Sequence, residues 1–325
     1  MTRVAAVDCG TNSIRLLIAD AHPDTGELAD LDRRMTIVRL GQGVDRTGRL
    51  APEALERTFA ACRDYADAIR QHGVTREHTR FIATSATRDA ENREEFTRGV
   101  RDILGVDPEV ITGDEEAGLS FTGATRELTA GNPGTGGASS ESLESLVLDI
   151  GGGSTELVLG AEEVIAARSV DVGCVRLTER HLLRDGALTD PPAGAQLDAM
   201  RADIAEALDL VEQTVPLRRA GRLVGLAGSV TTVAGLALEL PEYDSAAIHH
   251  SRIPLDRVRQ VTEWLLRSTH AERTAVPVIH PGRVDVIGAG ALVLLGVMER
   301  VGADEVLVSE HDILDGIAYA AAARG

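Results

Sequence analysis

Lysine is missing altogether: the 33 basic side chains of this chain are all arginine. That absence excludes every mechanism needing a lysine amine, among them the Walker A phosphate loop, Schiff-base catalysis and pyridoxal chemistry. Cysteine is scarce. The three present, Cys9, Cys62 and Cys174, are odd in number and widely spaced, which supplies neither a disulfide framework nor zinc-ligand spacing. Small-residue packing accounts for Cys9 better than a reactive role. Long apolar runs are also lacking. None reaches the roughly 18 residues of a membrane-spanning helix, and MTRVAAVD enters a strand-like run with no signal-like segment, so a cytoplasmic protein without a membrane partner is expected. Positive charge is in deficit: 33 basic against 51 acidic residues leave a net charge of −18, with no long basic stretch to offset it. This argues against nucleic acid as a partner, and a phosphate ligand would have to be met by local arginine and metal.

What is present begins with two similar loops, each after an apolar run: VAAVDCGTNS at Val4 to Ser13 and LVLDIGGGSTE at Leu146 to Glu156. The chain leaves a strand at Asp8 or Asp149. It then turns through Gly10, Thr11, Asn12 and Ser13, or through Gly151, Gly152, Gly153, Ser154 and Thr155, where backbone amides can face an anion without side chains intervening. An aspartate cannot bind phosphate directly, but it can hold hydrated Mg²⁺, or Mn²⁺, that bridges to phosphate oxygens. Glu156 adds a second carboxylate beside Asp149. Apolar residues resume at Ile14–Ala19 and Leu157–Leu159, which predicts hairpins and not the strand-to-helix turn of a Rossmann site. An ordinary turn in the first loop and a flexible hairpin tip in the second are the bland alternatives.

Other candidates are less specific. Glu115 and Glu116 stand in the first turn of a predicted helix, where carboxylates gain from the macrodipole; the rival reading makes one of them a general base that orients water. Arg88 and Arg93 could fork onto phosphate or simply solvate a helix start. Gly228 and Ser229 lie in a third strand-to-glycine turn, whose following helix could accept an anion, although close strand–helix packing would explain the glycines equally well. GAGA at Gly288–Ala291 reads as a helix-packing surface, and the adjacent His249 and His250 are poor metal ligands.

At 325 residues the chain can hold two domains with substantial cores. Apolar runs at Val4–Val7, Ile14–Ala19 and about Met35–Leu40 predict a meander, followed by helices over Pro52–Gln71, Arg93–Leu104 and Gly113–Leu128 with strands at Arg80–Ala83 and Glu109–Ile111. After GNPGTGGASSES the pattern restarts, with strands at Leu146–Leu148, Leu157–Leu159 and Val164–Ala167. Helices over Val175–Leu183, Ala193–Val215, Val230–Leu240, Leu255–Ser268, Val284–Val301 and Ile313–Ala322, with strands at Leu223–Leu226 and Glu305–Val308, complete it. A meander followed by alternating helices and strands therefore occurs twice, which reads as domain duplication.

The ordered series DCGTNSIRLLI, ATSATRDAENREEF, ITGDEEAGLSF, LVLDIGGGSTELV, VGCVRLTER, LVGLAGSVTT and GRVDVIGAG resembles the exopolyphosphatase and guanosine pentaphosphate phosphohydrolase (Ppx/GppA) family over nearly the whole chain. The resemblance implies an α/β fold, the duplicated actin-like or acetate-kinase-like (ribonuclease H-like) arrangement of two domains with an interdomain cleft. Domain I would span 1–128 joined by the last helix, 311–325, and domain II 129–310, with 131–142 a flexible Gly/Ser loop. It implies Mg²⁺-dependent removal of terminal phosphate from inorganic polyphosphate or from guanosine pentaphosphate (pppGpp), and a homodimer. Carried onto this sequence, Glu116 becomes the catalytic base and Glu156 a second essential carboxylate. Asp8, Asp149 and Glu156 become the metal-side acids, and Arg88 and the two glycine loops the phosphate contacts, to which the third turn adds Gly228 and Ser229 as candidates. Cys174 stands where Ala or Ser is more usual, and ILDG at Ile313–Gly316 replaces an LREG-like ending, removing a basic residue. The C-terminal helical domains of long members are not in this sequence, so short polyphosphate chains are the expected substrates. A polyphosphate- or nucleotide-dependent kinase and a non-catalytic phosphate or nucleotide sensor are the alternatives from other classes.

Overall fold

A computed structural model describes residues 1–22, 27–130 and 143–323. It divides into two units, Met1–Ala138 with His311–Gly325, and Ser139–Glu310. The segment 131–142, expected as a flexible loop, lies outside the described residues.

The first unit opens with β1 (Thr2–Cys9), β2 (Ser13–His22) and β3 (Glu27–Ile37), an antiparallel meander. There follow the short α1 (Val44–Thr47), α2 (Pro52–Gln71), β4 (Thr79–Ala83), the single turn α3 (Ser85–Arg88), α4 (Arg93–Leu104), β5 (Glu109–Val110) and α5 (Gly113–Ala130). Proline at the first position of α2 satisfies the missing-donor rule for a helix start. Ala5, Val7 and Cys9 of β1 join a core with Leu55, Tyr65, Phe96 and Val100 of α2 and α4. Val4 and Ala6 are equally buried on the opposite face, so β1 reads as a continuous apolar run because both its faces are covered. The third strand departs from expectation. It ends at Ile37 and begins at Glu27, earlier than the apolar run around Met35–Leu40 suggests, because it is an edge strand whose charged residues face water and leave no apolar signal.

The second unit repeats the meander with β6 (Ser145–Ile150), β7 (Thr155–Gly160) and β8 (Val164–Val170). Then come α6 (Cys174–Leu182), the small hairpin β9 (Leu183–Arg184) and β10 (Ala187–Leu188), α7 (Gly194–Glu212), β11 (Arg222–Leu226) and α8 (Ala227–Ala237). They are followed by α9 (Ser245–Ile248), β12 (Arg252–Pro254), α10 (Leu255–Arg267), α11 (His270–Thr274), α12 (Ile287–Val301) and β13 (Glu305–Val308). Helices α6 and α7 start one residue from expectation, and two others differ more. Helix α8 begins at Ala227 directly after the strand, so Gly228 and Ser229 lie in its first turn. Helix α12 begins at Ile287, because a 3₁₀ turn at Pro281–Arg283 precedes it. The chain ends on α13 (Ile313–Ala322), which belongs to the first unit and buries Ile313, Leu314, Ile317 and Ala318 against Val4, Ala6, Leu17 and Ala19.

The sheets run β3-β2-β1-β4-β5 and β8-β7-β6-β11-β13, the latter with β12 added at its edge. In each, three antiparallel strands precede two that are parallel to the central one. This twofold 3-2-1-4-5 order is the duplicated, ribonuclease H-like fold of actin-like proteins. The three cysteines are buried, and burial pushes their thiols up, that of Cys62 to about 12, as inert packing residues require.

Candidate functional site

In the first unit the site residues collect where β1, β4 and β5 end side by side, with Cys9 opposite Ala83 and Ala83 opposite Val110. Open α/β sheets bind ligands at such carboxyl ends. The first glycine loop is the tight link between β1 and β2, closed by the Gly10 amide donating to the Ser13 carbonyl at 3.0 Å. Thr11 ties it to α3 through a 2.9 Å hydroxyl contact with Ser85. Asn12 is buried, its carbonyl accepting from Val38 and Arg39, while its side-chain Nδ2 has no hydrogen-bond partner among the described residues. A buried donor without an acceptor is costly and suits a site that receives an anion.

Arg88 ends α3 and Glu116 lies in the first turn of α5, and the structure brings them together. Arg88 Nη1 donates to the Ile111 carbonyl at 3.0 Å and to Glu116 Oε2 at 3.3 Å. The adjacent acids Glu115 and Glu116 take different parts. Glu115 is exposed, and its Oε2 accepts from the Thr112 amide at 2.8 Å and hydroxyl at 2.9 Å, bonds that lower its carboxyl and cap the helix. Glu116 is 8% exposed and turned toward Arg88. Helix capping therefore accounts for one glutamate and leaves the other unexplained by local structure. Arg93, the other arginine of that segment, starts α4.

Asp8 stands opposite Arg15 across the first hairpin, and its Oδ2 accepts from Arg15 Nε at 2.9 Å and Nη2 at 2.7 Å. Burial pushes the Asp8 carboxyl up, and Arg15 opposes that. Arg15 escaped the sequence reading, although its place seven residues after Asp8 in a hairpin was a usable signal.

The second glycine loop repeats this geometry. The Gly151 amide donates to the Ser154 carbonyl at 3.0 Å, and Asp149 stands opposite Glu156. The turn's carbonyls receive the start of α6: Cys174 donates to Gly151 at 3.0 Å, Val175 to Gly152 at 2.9 Å and Arg176 Nε to Gly153 at 2.7 Å. Thr155 donates to the Val172 carbonyl, and Ser154 is buried. Glu156 is 1% exposed, and its Oε1 accepts from Ser169 on β8 at 2.7 Å. Ser169 was legible only from the register that sets it opposite Glu156.

The third turn follows β11. Ala227 adopts φ 63°, a left-handed conformation that bends the chain sharply into α8. A Cβ on Gly228 would collide with the guanidinium of Arg283, and one on Gly290 with Ser229. Close packing explains Gly290 and GAGA as a helix-packing surface, while Arg283, whose flexible end lies over Gly228, is a further residue the sequence reading missed. His249 and His250 stack at 3.7 Å, and His249 Nδ1 accepts from the Glu310 amide.

The equivalent hairpins differ where it matters for a metal ion. Opposite its aspartate the first carries arginine; the second carries glutamate. Like charges directly opposite one another are destabilising, and two such carboxylates form the oxygen-only donor set that suits Mg²⁺. Asp149 and Glu156 fit the ion in this respect, whereas Asp8 has Arg15 as its counter-ion. No group of three or more His, Cys, Asp or Glu side chains is arranged to hold a metal among the described residues, so water and substrate oxygens would supply the remaining ligands. No helix among those residues is long and apolar enough to cross a membrane.

Fold and side chains together define a duplicated ribonuclease H-like protein whose strand ends gather carboxylates and arginine around glycine turns. The chain belongs to the Ppx/GppA phosphatase family, whose profile matches residues 17–324. Exopolyphosphatase 2 of Mycobacterium tuberculosis is 50% identical over 334 aligned positions, covering 99% of this chain and 99% of that protein. An exopolyphosphatase-like protein of known crystal structure is 43% identical with a TM-score of 0.86, over 97% of each chain. The guanosine-5'-triphosphate,3'-diphosphate pyrophosphatase of Vibrio atlanticus is 28% identical, over 97% of this chain and 58% of that protein.

Proposed function

We propose that the chain is an exopolyphosphatase that releases terminal orthophosphate from inorganic polyphosphate, short chains among its substrates. The observation that carries this reading is the meeting of Arg88 and Glu116 beside the Gly10–Ser13 turn, at the aligned ends of β1, β4 and β5. In this reading Glu116 accepts the proton of a water whose oxygen attacks the terminal phosphorus, the anhydride P–O bond breaks, and the shortened chain departs. Arg88 and Asn12 bind and orient phosphate oxygens in the first unit, and the turn amides of Gly152–Ser154 are the phosphate contacts of the second. Asp149 and Glu156 would hold Mg²⁺, or Mn²⁺, whose contribution when bound is to neutralise charge on the phosphate oxygens. Asp8 would be the metal-side acid of the first loop, its charge offset by Arg15.

Ser169 matters here because it orients Glu156. Ser169→Ala should lower kcat about tenfold, the scale of losing a partner that orients a metal-side ligand, and should raise the Mg²⁺ concentration needed for half-maximal rate. Unchanged Mg²⁺ dependence would show that Glu156 needs no such support.

The deciding experiment is phosphate release from polyphosphates of defined length, pppGpp and ATP, each with Mg²⁺ and with Mn²⁺. Polyphosphate should turn over, shorter chains better than long ones. Turnover of pppGpp alone would establish the nucleotide reading, which the Vibrio relative's name favours. ATP formation on adding ADP would establish a kinase, and no turnover at all a sensor. Sedimentation would test the homodimer that the resemblance implies.

A further inference from the structure

We propose that Asp312, at the start of the last helix, is a positioning residue for Asp8 and acts through Arg15. The inference rests on the reading of Asp8 as a carboxylate of the reacting site. One guanidinium serves two buried acids from opposite ends of the chain: Arg15 Nε and Nη2 donate to Asp8 Oδ2, and Nη1 donates to Asp312 Oδ2. Both bonds to Asp8 fall on a single oxygen. An arginine held there alone could pivot about that atom, and the bond to Asp312 removes the freedom.

Asp312 is itself fixed. Its Oδ1 accepts from the Leu314 amide at 3.0 Å, its own amide donates to Asp315 at 2.9 Å, and Arg33 of β3 holds Asp315 at 2.5 Å. Its carbonyl packs on Gly123 of α5, where a Cβ would overlap it, and Gly316 sits as tightly on Leu119. Gly123 lies about two helical turns after Glu116. One residue therefore connects the arginine at Asp8 with the helix that carries Glu116.

Asp312→Asn keeps an acceptor for Leu314 and removes the charge that holds Arg15. With tripolyphosphate as substrate, its kcat should fall roughly ten- to hundredfold, the scale of a slight misplacement at a reacting centre, with KM little changed. In an Asp8→Asn background the same substitution should cause no further loss, because the group it orients is gone. The Arg15 Nε–H resonance, assigned through Arg15→Lys, should exchange faster with solvent in Asp312→Asn. Should that variant fold poorly, Asp312→Ser retains the cap and carries the same expectations. Wild-type kcat in Asp312→Asn, an undisturbed Arg15 resonance, or a loss that adds to that of Asp8→Asn overturns the inference while the reading of Asp8 stands. Wild-type kcat in Asp8→Asn alone overturns that reading, and the inference with it.

Discussion

Glu116→Gln should lower kcat for phosphate release by roughly 10²–10⁴-fold, the usual scale of a lost general base, with little change in KM. The substitution preserves shape and hydrogen-bonding reach toward Arg88 while removing the capacity to accept a proton. Its neighbour supplies the control. Glu115 accepts two bonds from Thr112 and caps α5, and glutamine keeps an acceptor there, so Glu115→Gln should cost only about 0.5 kcal/mol, the scale of a lost charge at a helix N-terminus, and leave kcat near wild type. Steady-state kinetics with polyphosphate distinguish the two. A Glu116→Gln enzyme with undiminished kcat would reject the base, and equal losses in both variants would mean that the turn as a whole, not Glu116, had been disturbed.

Gly123→Ala should destabilise the first unit by roughly 3 kcal/mol, at the upper end of the overpacking range. Helix propensity predicts the opposite sign, since alanine is favoured over glycine by about 1 kcal/mol in a helix interior. Packing wins because the added methyl would overlap the Asp312 carbonyl and crowd the Gly316 amide. Both are backbone atoms that cannot rotate aside, so α13 as a whole would have to shift. The midpoint of thermal unfolding should drop by roughly 6–12 °C for a unit of this size. Gly118, in the same helix, has nothing within 4 Å of its Cβ direction, and Gly118→Ala should raise the midpoint or leave it unchanged. A stabilised Gly123→Ala protein would show that α5 and α13 pack less closely than the structure describes.

Much of the local structure was legible before any coordinates. Helices α2, α4 and α13 and strand β13 have the expected bounds, because each couples a strong apolar period to a clear start or stop. The hairpins at both glycine loops follow from apolar runs on either side of a short turn. Edge strands such as β3 and β12 were hard to see, since half-exposed or very short segments leave no apolar signature. Periodicity alone left Glu115 and Glu116 equivalent. The resemblance selected Glu116, and the structure supplied an independent reason to separate them, namely that Thr112 occupies Glu115.

By itself the sequence determined the composition limits, the absence of lysine chemistry, the doubled strand–glycine–strand pattern and, through the order of its motifs, the family. These are short-range features, in which spacing along the chain equals spacing in the element. Only the tertiary structure decided the partners that come from far along the chain. Arg15 meets Asp312 across 297 positions, and Arg88 meets Glu116 across 28, and no local period encodes such pairs. They arise because parallel strands align their ends while helices return from elsewhere to cover the sheet.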